Sequence, residues 1–354
     1  MSGFGRQDRP GFRREPFVLG FAETPAGPVP RVGTDLSRRD HLGTFLARVS
    51  GVREDYKIVP GLYCVGQPGP DAPVLVTCNY KLTFDLVRRE LAGLDLWLLI
   101  IDTHGINVWC AAGKGTFSTA EVAHRVRHSG LERVVSHRKL ILPQYSATGV
   151  SAHKLRKQCG FGAEFGPIRA IDVPRYLAQG ADETMRRATF GLWERAVLVP
   201  IEVTLLWKGL AWAALTMFAL SGIGPQWFSL PAAWTRGGLA LGGTLAGILG
   251  GAVAVPLLLP WLPGRAFSLK GAVAGAVLGL ATVLALPGAS GWGEGLGLLL
   301  WVMALASYLG MNFTGSTPFT SPSGVEKEMR RALPVQAGAV LAAVALWVGS
   351  AFMV

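Results

Sequence analysis

The stretch Leu94-Asp95-Leu96-Trp97-Leu98-Leu99-Ile100-Ile101, then Asp102-Thr103-His104-Gly105-Ile106, then Asn107-Val108-Trp109-Cys110-Ala111-Ala112-Gly113-Lys114-Gly115-Thr116, decides the fold of the first half of this chain. The aliphatic run is short and ends in turn formers, which predicts a buried strand. Asn107 is placed to cap a helix that starts just beyond it, with small Ala111 and Ala112 inside. Cys110 then falls in a first helical turn, where free backbone N–H groups and the helix dipole favour a thiolate. Lys114, four residues on, lies on the same face and adds a positive charge. Two readings of Cys110 stay open at this point. It is either a reactive or metal-binding sulfur, or a small core residue, the commonest fate of a free Cys.

Outward from this stretch the same grammar repeats. Gly61-Leu62-Tyr63-Cys64-Val65-Gly66 and Val74-Leu75-Val76-Thr77 read as strands, followed by a helical pattern over 82–91. Residues 121–129 and 152–158 read as helices, and Val134-Val135, Lys139-Leu140-Ile141-Leu142 and Phe165-Gly166-Pro167-Ile168-Arg169 as strands. Strands alternating with helices predict a parallel, Rossmann-like α/β sheet. Ligands of such sheets sit beyond the carboxyl ends of the strands. Three exits carry suitable residues: 77–80, 102–116 and 142–150. Residues 1–35, rich in Gly, Pro and Arg, read as an irregular arm. Over 36–58, Leu42, Phe45, Leu46 and Val49 fall on one helical face.

Phosphate motifs do not fit. Gly113-Lys114 would need Ser or Thr next and has Gly115, and the first glycine of a P-loop would fall on Val108. No G-x-G-x-x-G follows a strand. The four cysteines, Cys64, Cys78, Cys110 and Cys159, contain no C-x-x-C pair, so neither an iron–sulfur cluster nor a zinc knuckle is encoded. A reduced, cytoplasmic setting follows from free cysteines in the front half alone.

Charged residues make up only 16% of the 354, against roughly 25% in a soluble protein. The deficit is local: residues 196–354 hold 7 of the 34 Lys/Arg and 4 of the 23 Asp/Glu. Five apolar runs near 197–219, 237–261, 266–287, 295–314 and 333–353 are each close to the ~20 residues that cross a bilayer. Domains are therefore expected at 1–55 (arm and helix), 56–190 (cytoplasmic α/β domain) and 191–354 (an all-α transmembrane domain of five helices). Arg186, Arg187 and Arg195 precede the first span, Arg265 and Lys270 lie between the second and third, and Lys327, Arg330 and Arg331 precede the fifth. Positive joints face the cytoplasm, which predicts a multi-pass protein of the cell (inner) membrane with its N-terminus and α/β domain cytoplasmic. The net charge of +11 is scattered and suits an anionic leaflet, so no nucleic acid is expected. Glu202 and Lys208 lie inside the first span near its cytoplasmic end, where a structural or interfacial role is expected. The loop 312–329 is dense in hydroxyls and carries Phe313 and Phe319, and is expected to fold back toward the ligand.

The segment Asn107-Val108-Trp109-Cys110-Ala111-Ala112-Gly113-Lys114 resembles the signature of the mercury-methylating corrinoid proteins (the HgcA family). Residues 76–85, 142–150 and 312–329 resemble that family too, as does the layout of one soluble domain before five spans. The α/β part is also similar to the corrinoid-binding domain of the corrinoid iron–sulfur proteins of the acetyl-CoA pathway, which carry their own cluster and lack the spans. Cys78 departs from the Ala expected in many relatives and puts a second thiol near the site. The resemblance implies a cobalamin-type corrinoid held base-off, with the Cys110 thiolate as lower axial ligand of cobalt. Asn107, Val108, Trp109, Ala111, Ala112, Gly113 and Lys114 would surround it, with Thr77, Asn79, Tyr80, Gln144, Gly149 and Val150 lining the corrinoid. It implies a corrinoid-dependent methyltransferase that passes a methyl group from methyl-cobalt(III) corrinoid to Hg(II), forming methylmercury. The methyl donor would be a methyl-folate pathway and the electron donor a small two-cluster [4Fe-4S] ferredoxin. The alternative is a membrane-anchored corrinoid methyl carrier with a non-mercury acceptor.

Overall fold

The structure is a computed structural model that describes Pro10, residues 15–285 and residues 291–353. The chain forms two compact units, Met1–Ala47 with Gly51–Thr189, and Arg48–Ser50 with Phe190–Val354.

The first unit is built on a seven-stranded sheet: β1 (Val18–Ala22), β2 (Val29–Val32), β3 (Gly61–Val65), β4 (Val74–Cys78), β5 (Leu96–Ile101), β6 (Lys139–Leu142) and β7 (Gly162–Phe165). The spatial order is β1-β2-β3-β5-β4-β6-β7. Strands β5, β4, β6 and β7 run parallel. Strand β3 pairs antiparallel with β5, and β1 antiparallel with β2, so the sheet is mixed and not wholly parallel as the alternation predicted. The link 66–73 from β3 to β4, rich in Pro and Gly, has no room for a crossover helix, so β4 runs back against β3, and β5, parallel to β4, lies antiparallel to β3 between them.

Every residue of β3, β4 and β5 is buried, as central strands covered on both faces demand. Alternate side chains of β5 serve two cores. Trp97, Leu99 and Ile101 pack with Ala111, Val122, Val126 and Leu155, beneath α3 (Val108–Lys114), α4 (Thr119–His128) and α5 (Ala152–Cys159). Leu96, Leu98 and Ile100 pack with Phe84, Leu91 and Val173, beneath α2 (Lys81–Glu90) and α6 (Val173–Gln179).

Four expectations change here. Residues 18–32 form the β1–β2 hairpin where an irregular arm was expected, the Gly and Pro residues being concentrated in its turn. Val134 and Val135 are not a strand, because their N–H groups bond to Leu131 O and close a turn. The last strand comes earlier than expected and stops at Phe165, before Pro167, which cannot donate to a ladder. The helix α1 (Arg38–Val49) forms, but Leu42 and Phe45 on its apolar face stay exposed.

An ion network fastens the chain after β2 onto α2. Arg88, 1% exposed, binds Asp85 at 2.8 Å and Asp40 at 2.9 Å, and Lys81 binds Asp85 at 2.6 Å and Asp40 at 2.7 Å. Arg88 also donates to the carbonyls of Gly33 and Asp35. Burial alone would raise the Asp40 carboxyl, but hydrogen bonds from Lys81 and Ser37 outweigh it and hold it well below the ordinary carboxylate range. A carboxyl held low in the fold adds stability that is present above its unfolded value and is lost as pH falls through the folded one. Urea unfolding of the full chain in detergent is therefore expected to show stability falling below about pH 4. Asp40→Asn should lower the neutral plateau and flatten that acid limb; an unchanged limb would exclude Asp40 as its source.

The second unit starts with the short helix α7 (Leu192–Ala196), followed by α8 (Val199–Leu220), the hairpin β8–β9 (Ile223–Gly224, Trp227–Phe228) and α9 (Leu230–Ile248). A π-turn over Leu249–Ala254 leads into α10 (Val255–Leu258), then α11 (Phe267–Ala285), α12 (Trp292–Asn312) and α13 (Pro322–Ser350). Five helices are long and apolar enough to cross a membrane, as the sequence predicted. The expected end of the third, at 287, lies outside the described residues. Of the five, α12 is the most enclosed, with 67% of its apolar window buried against 6% for the segment carrying α8 and 17% for α13. Helix α11 packs on α12 nearly backbone to backbone: a Cβ on Gly271 would lie 2.2 Å from the Ala306 carbonyl oxygen.

The expected loop 312–329 is much shorter. A tight turn, Phe313–Ser316, leads through 317–321 to α13, which Ser321 caps by accepting from Gly324 N. Ser316 Oγ donates to Glu202, tying this turn to the first span, while Lys208 is exposed beside Trp207. At the other ends of the helices, Arg236 pairs with Glu294 at 2.6 Å and donates to Ser221 O and Ser350 Oγ. That cluster joins α8, α9, α12 and α13 with one guanidinium.

Candidate functional site

Strands β4, β5 and β6 run in one direction, so their exits share one edge of the sheet. From β4 the chain steps to β5 on one side, then crosses to β6 on the other. Such a reversal opens a crevice between the loops, the usual ligand position in α/β sheets. The three sequence segments singled out for chemistry are the three loops that meet there.

Asn79, immediately after β4, is 2% exposed. Its Nδ2 donates to Asp102 Oδ1 at 3.0 Å. Its Oδ1 accepts from Thr103 N at 3.0 Å, Thr103 Oγ1 at 3.0 Å and Gly105 N at 3.1 Å. All of its polar capacity near the β5 exit is thus taken by the 102–106 loop, and it positions that loop from beneath. Asp102 N donates to Glu121 and Asp102 Oδ1 accepts from His104 N, which holds His104 in the left-handed region at φ 58°.

This cinched loop delivers Asn107 in extended conformation, φ −64° and ψ 160°, as the N-cap of α3. Asn107 Oδ1 accepts from Cys110 N at 2.9 Å, the cap that the sequence predicted. Cys110 is partly exposed in the first turn. Val108, Ala111 and Ala112 turn inward, and Gly113 and Lys114 are exposed at the far end.

The third loop docks on α3. Trp109 and Tyr145 meet edge to face at 5.1 Å between ring centroids. A Cβ at Gly149 would lie 2.1 Å from the Phe117 carbonyl oxygen, so this approach requires glycine. Val150 and Ser146 are buried, while Gln144 is partly exposed.

The residues expected to line a ligand therefore divide. Trp109, Cys110, Gln144 and the outer end of α3 remain accessible. Thr77, Asn79, Tyr80, Val108, Ala111, Ala112 and Val150 are buried and set the loops' shape. Cys78 is 0% exposed and belongs to the core, so the second thiol expected near the site faces away from solvent. Burial pushes the Cys64, Cys78 and Cys159 thiols up from their ordinary value. Tyr145, Asp102 and Thr103 were not singled out from sequence. Tyr145 had a local signal, an aromatic beside Gln144, whereas the other two are identified only by contacts with Asn79.

Residues 52–166, which span β3 to β7 and all three loops, match the family described as CO dehydrogenase/acetyl-CoA synthase delta subunit. The chain is also similar to acetyl-CoA decarbonylase/synthase complex subunit gamma of several archaea. Identity to the Methanopyrus kandleri protein is 39% over 127 residues, covering 35% of this chain and 27% of the relative. The Archaeoglobus fulgidus protein is 31% identical over 127 residues, again 35% and 27%. That of Methanocaldococcus jannaschii is 33% identical over 136 residues, covering 38% and 28%. The chain spans about a quarter of the length of these curated relatives. The likeness to acetyl-CoA-pathway proteins drawn from the sequence is thus one of the α/β unit.

Proposed function

We propose that this chain is a membrane-anchored, corrinoid-dependent methyltransferase that delivers a methyl group to Hg(II), forming methylmercury. The observation that carries the reading is Cys110: a partly exposed thiol in a capped first turn, at the reversal point of the sheet. The donor set suits a corrinoid. Among the described residues no three His, Cys, Asp or Glu side chains gather to hold a bare metal ion. A corrinoid carries its own cobalt, so the single thiol of Cys110 would suffice to hold it. When bound, the group supplies a cobalt centre able to carry a methyl group and release it to a soft acceptor.

The chain's own contribution follows from its residues. Cys110 would supply a soft, strongly donating sulfur to the cobalt of such a group. Asn107 fixes the turn that carries it, and Asn79 fixes the loop that carries Asn107. Trp109, Gln144 and Gly149 are partly exposed at the same edge of the sheet, and the far end of α3, Gly113 and Lys114, is exposed beside them. The order β5-β4-β6-β7 supports a Rossmann-like description of this half. Basic residues at the joints of the five helices support an inner-membrane protein with the α/β unit cytoplasmic. The four cysteines contain no C-x-x-C pair, so electrons for such a group would come from an external donor. A small two-cluster [4Fe-4S] ferredoxin fits that role, and a methyl-folate the role of methyl source.

A second reading, a membrane-anchored corrinoid methyl carrier with a non-mercury acceptor, is favoured by relatives named for acetyl-CoA decarbonylase/synthase complexes. One experiment separates the two. The protein, purified anaerobically from corrinoid-supplied cells, is expected to be coloured and, with a reductant and a methyl-folate system, to methylate Hg(II). A coloured protein that leaves Hg(II) untouched selects the carrier, and a colourless protein removes both readings.

A further inference from the structure

Helices α4 and α5 lie side by side over one face of the sheet. Arg127 Nη1 on α4 donates to Gln158 O on α5 at 2.8 Å, and Val122, Val126 and Leu155 carry both helices on the same core. What they turn to solvent has one sign. Arg127 on α4 and Lys154, Arg156 and Lys157 on α5 are exposed. Among the described residues of these two helices no Asp or Glu is exposed, and no large apolar side chain is. Their one acid, Glu121, is partly buried and pairs with Arg125 at 3.0 Å, so it offsets none of the four cations.

The face continues into the loops around Cys110. Glu121, in the first turn of α4, accepts from Asp102 N at 2.9 Å. Thr119 N donates to Gly149 O, and Thr119 Oγ1 accepts at 2.9 Å from the N–H of Ser151, the cap of α5. A Cβ at Gly149 would lie 3.2 Å from Ala112 Cα on α3. The first turns of α4 and α5 are thus built onto the loops and the helix that hold Cys110, and a partner seated on this face stands beside them.

An exposed cation attracts weakly by itself, but four on one face with no acid among them sum to a positive field that draws in negative surfaces. The face lacks the Trp, Phe or Leu that seats a helix in a lipid surface. It suits a polar contact formed by charge steering, and electron-transfer encounters are small contacts of this kind. We propose that the α4–α5 face docks an acidic, electron-carrying protein beside Cys110. The partner's electron-carrying role rests on the corrinoid reading above; the docking rests on the charges.

The test uses the full chain in phosphatidylcholine nanodiscs, with a small acidic two-cluster [4Fe-4S] ferredoxin as probe and surface plasmon resonance as readout. The triple variant Lys154→Glu, Arg156→Glu, Lys157→Glu is expected to bind about tenfold or more weakly than wild type at about 0.05 M salt. The difference should shrink to about twofold at about 1 M, where the screening length is about 3 Å. Arg38 and Arg39 are exposed on α1, which Asp40 fastens to α2 on the opposite face of the sheet, and their reversal to Glu should change binding by less than about twofold. No binding by wild type, equal binding by wild type and the triple variant, or an equal loss in the Arg38 and Arg39 variant overturns the assignment. So does a triple variant that loses binding to phosphatidylglycerol vesicles and keeps the ferredoxin, which makes the face a lipid contact. These outcomes are read from binding alone, whereas the corrinoid reading stands or falls on the colour of the purified protein.

Discussion

Replacing Cys110 with Ala is expected to reduce Hg(II) methylation in anoxic cells by about a hundredfold or more, since even partners behind a metal ligand are worth ten- to a hundredfold. The side chain is partly exposed and its helix is capped through the backbone N–H of residue 110, which Ala retains. Stability should therefore change by no more than about 0.5 kcal/mol, the usual scale for surface positions. Loss of activity in a folded protein would thus be chemical in origin. Cys110→Ser is the sharper variant: it keeps size and polarity and removes only the soft donor. Activity equal to wild type in either variant would sink the ligand role.

The second large effect is expected at Asn79. In Asn79→Leu, the N–H groups of Thr103 and Gly105 lose their shared acceptor and Asp102 loses a donor, while the Thr103 hydroxyl keeps the Ile106 carbonyl at 2.7 Å. At about 1–3 kcal/mol for a buried group left unpaired, with some relief by movement, a loss of roughly 3–5 kcal/mol follows. The damage should be uneven. Amide exchange at Thr103 and Gly105 should speed up by orders of magnitude, while the β3–β5 ladder keeps its protection. Corrinoid retention should fall at least tenfold with Cys110 intact. Asn79→Asp should be intermediate, since it restores acceptors but sets a second carboxylate against Asp102. Full retention with a loosened loop would mean that the loop does not position the site.

The two variants mark where the sequence was informative. The capped turn at Asn107, the strand ends and the five apolar helices are local patterns, written in spacing and residue type, and they could be read directly. Asn79 was legible as a site residue, but its role was not: its partners lie 23 to 26 residues away, and no local pattern carries such contacts. The same holds for Arg236 and Glu294, 58 residues apart in sequence, which form one largely buried pair. The short link 66–73 hints that β3 and β4 run in opposite directions, but that β5 and not β4 lies beside β3 is settled by the sheet as a whole. The β1–β2 hairpin was obscured by the Gly and Pro of its own turn.

That hairpin has a practical side. The block that matches the CO dehydrogenase/acetyl-CoA synthase delta subunit family begins at residue 52, after both of its strands. In this chain β2 lies along β3 and β1 closes the row. A fragment trimmed to the shared region would bare the long side of β3, with its free N–H and C=O groups, and such an edge recruits other copies into stacked aggregates. The homologous block is therefore not a portable module by itself: moved into another protein, it needs a splint on that side, and here residues 18–32 are the splint.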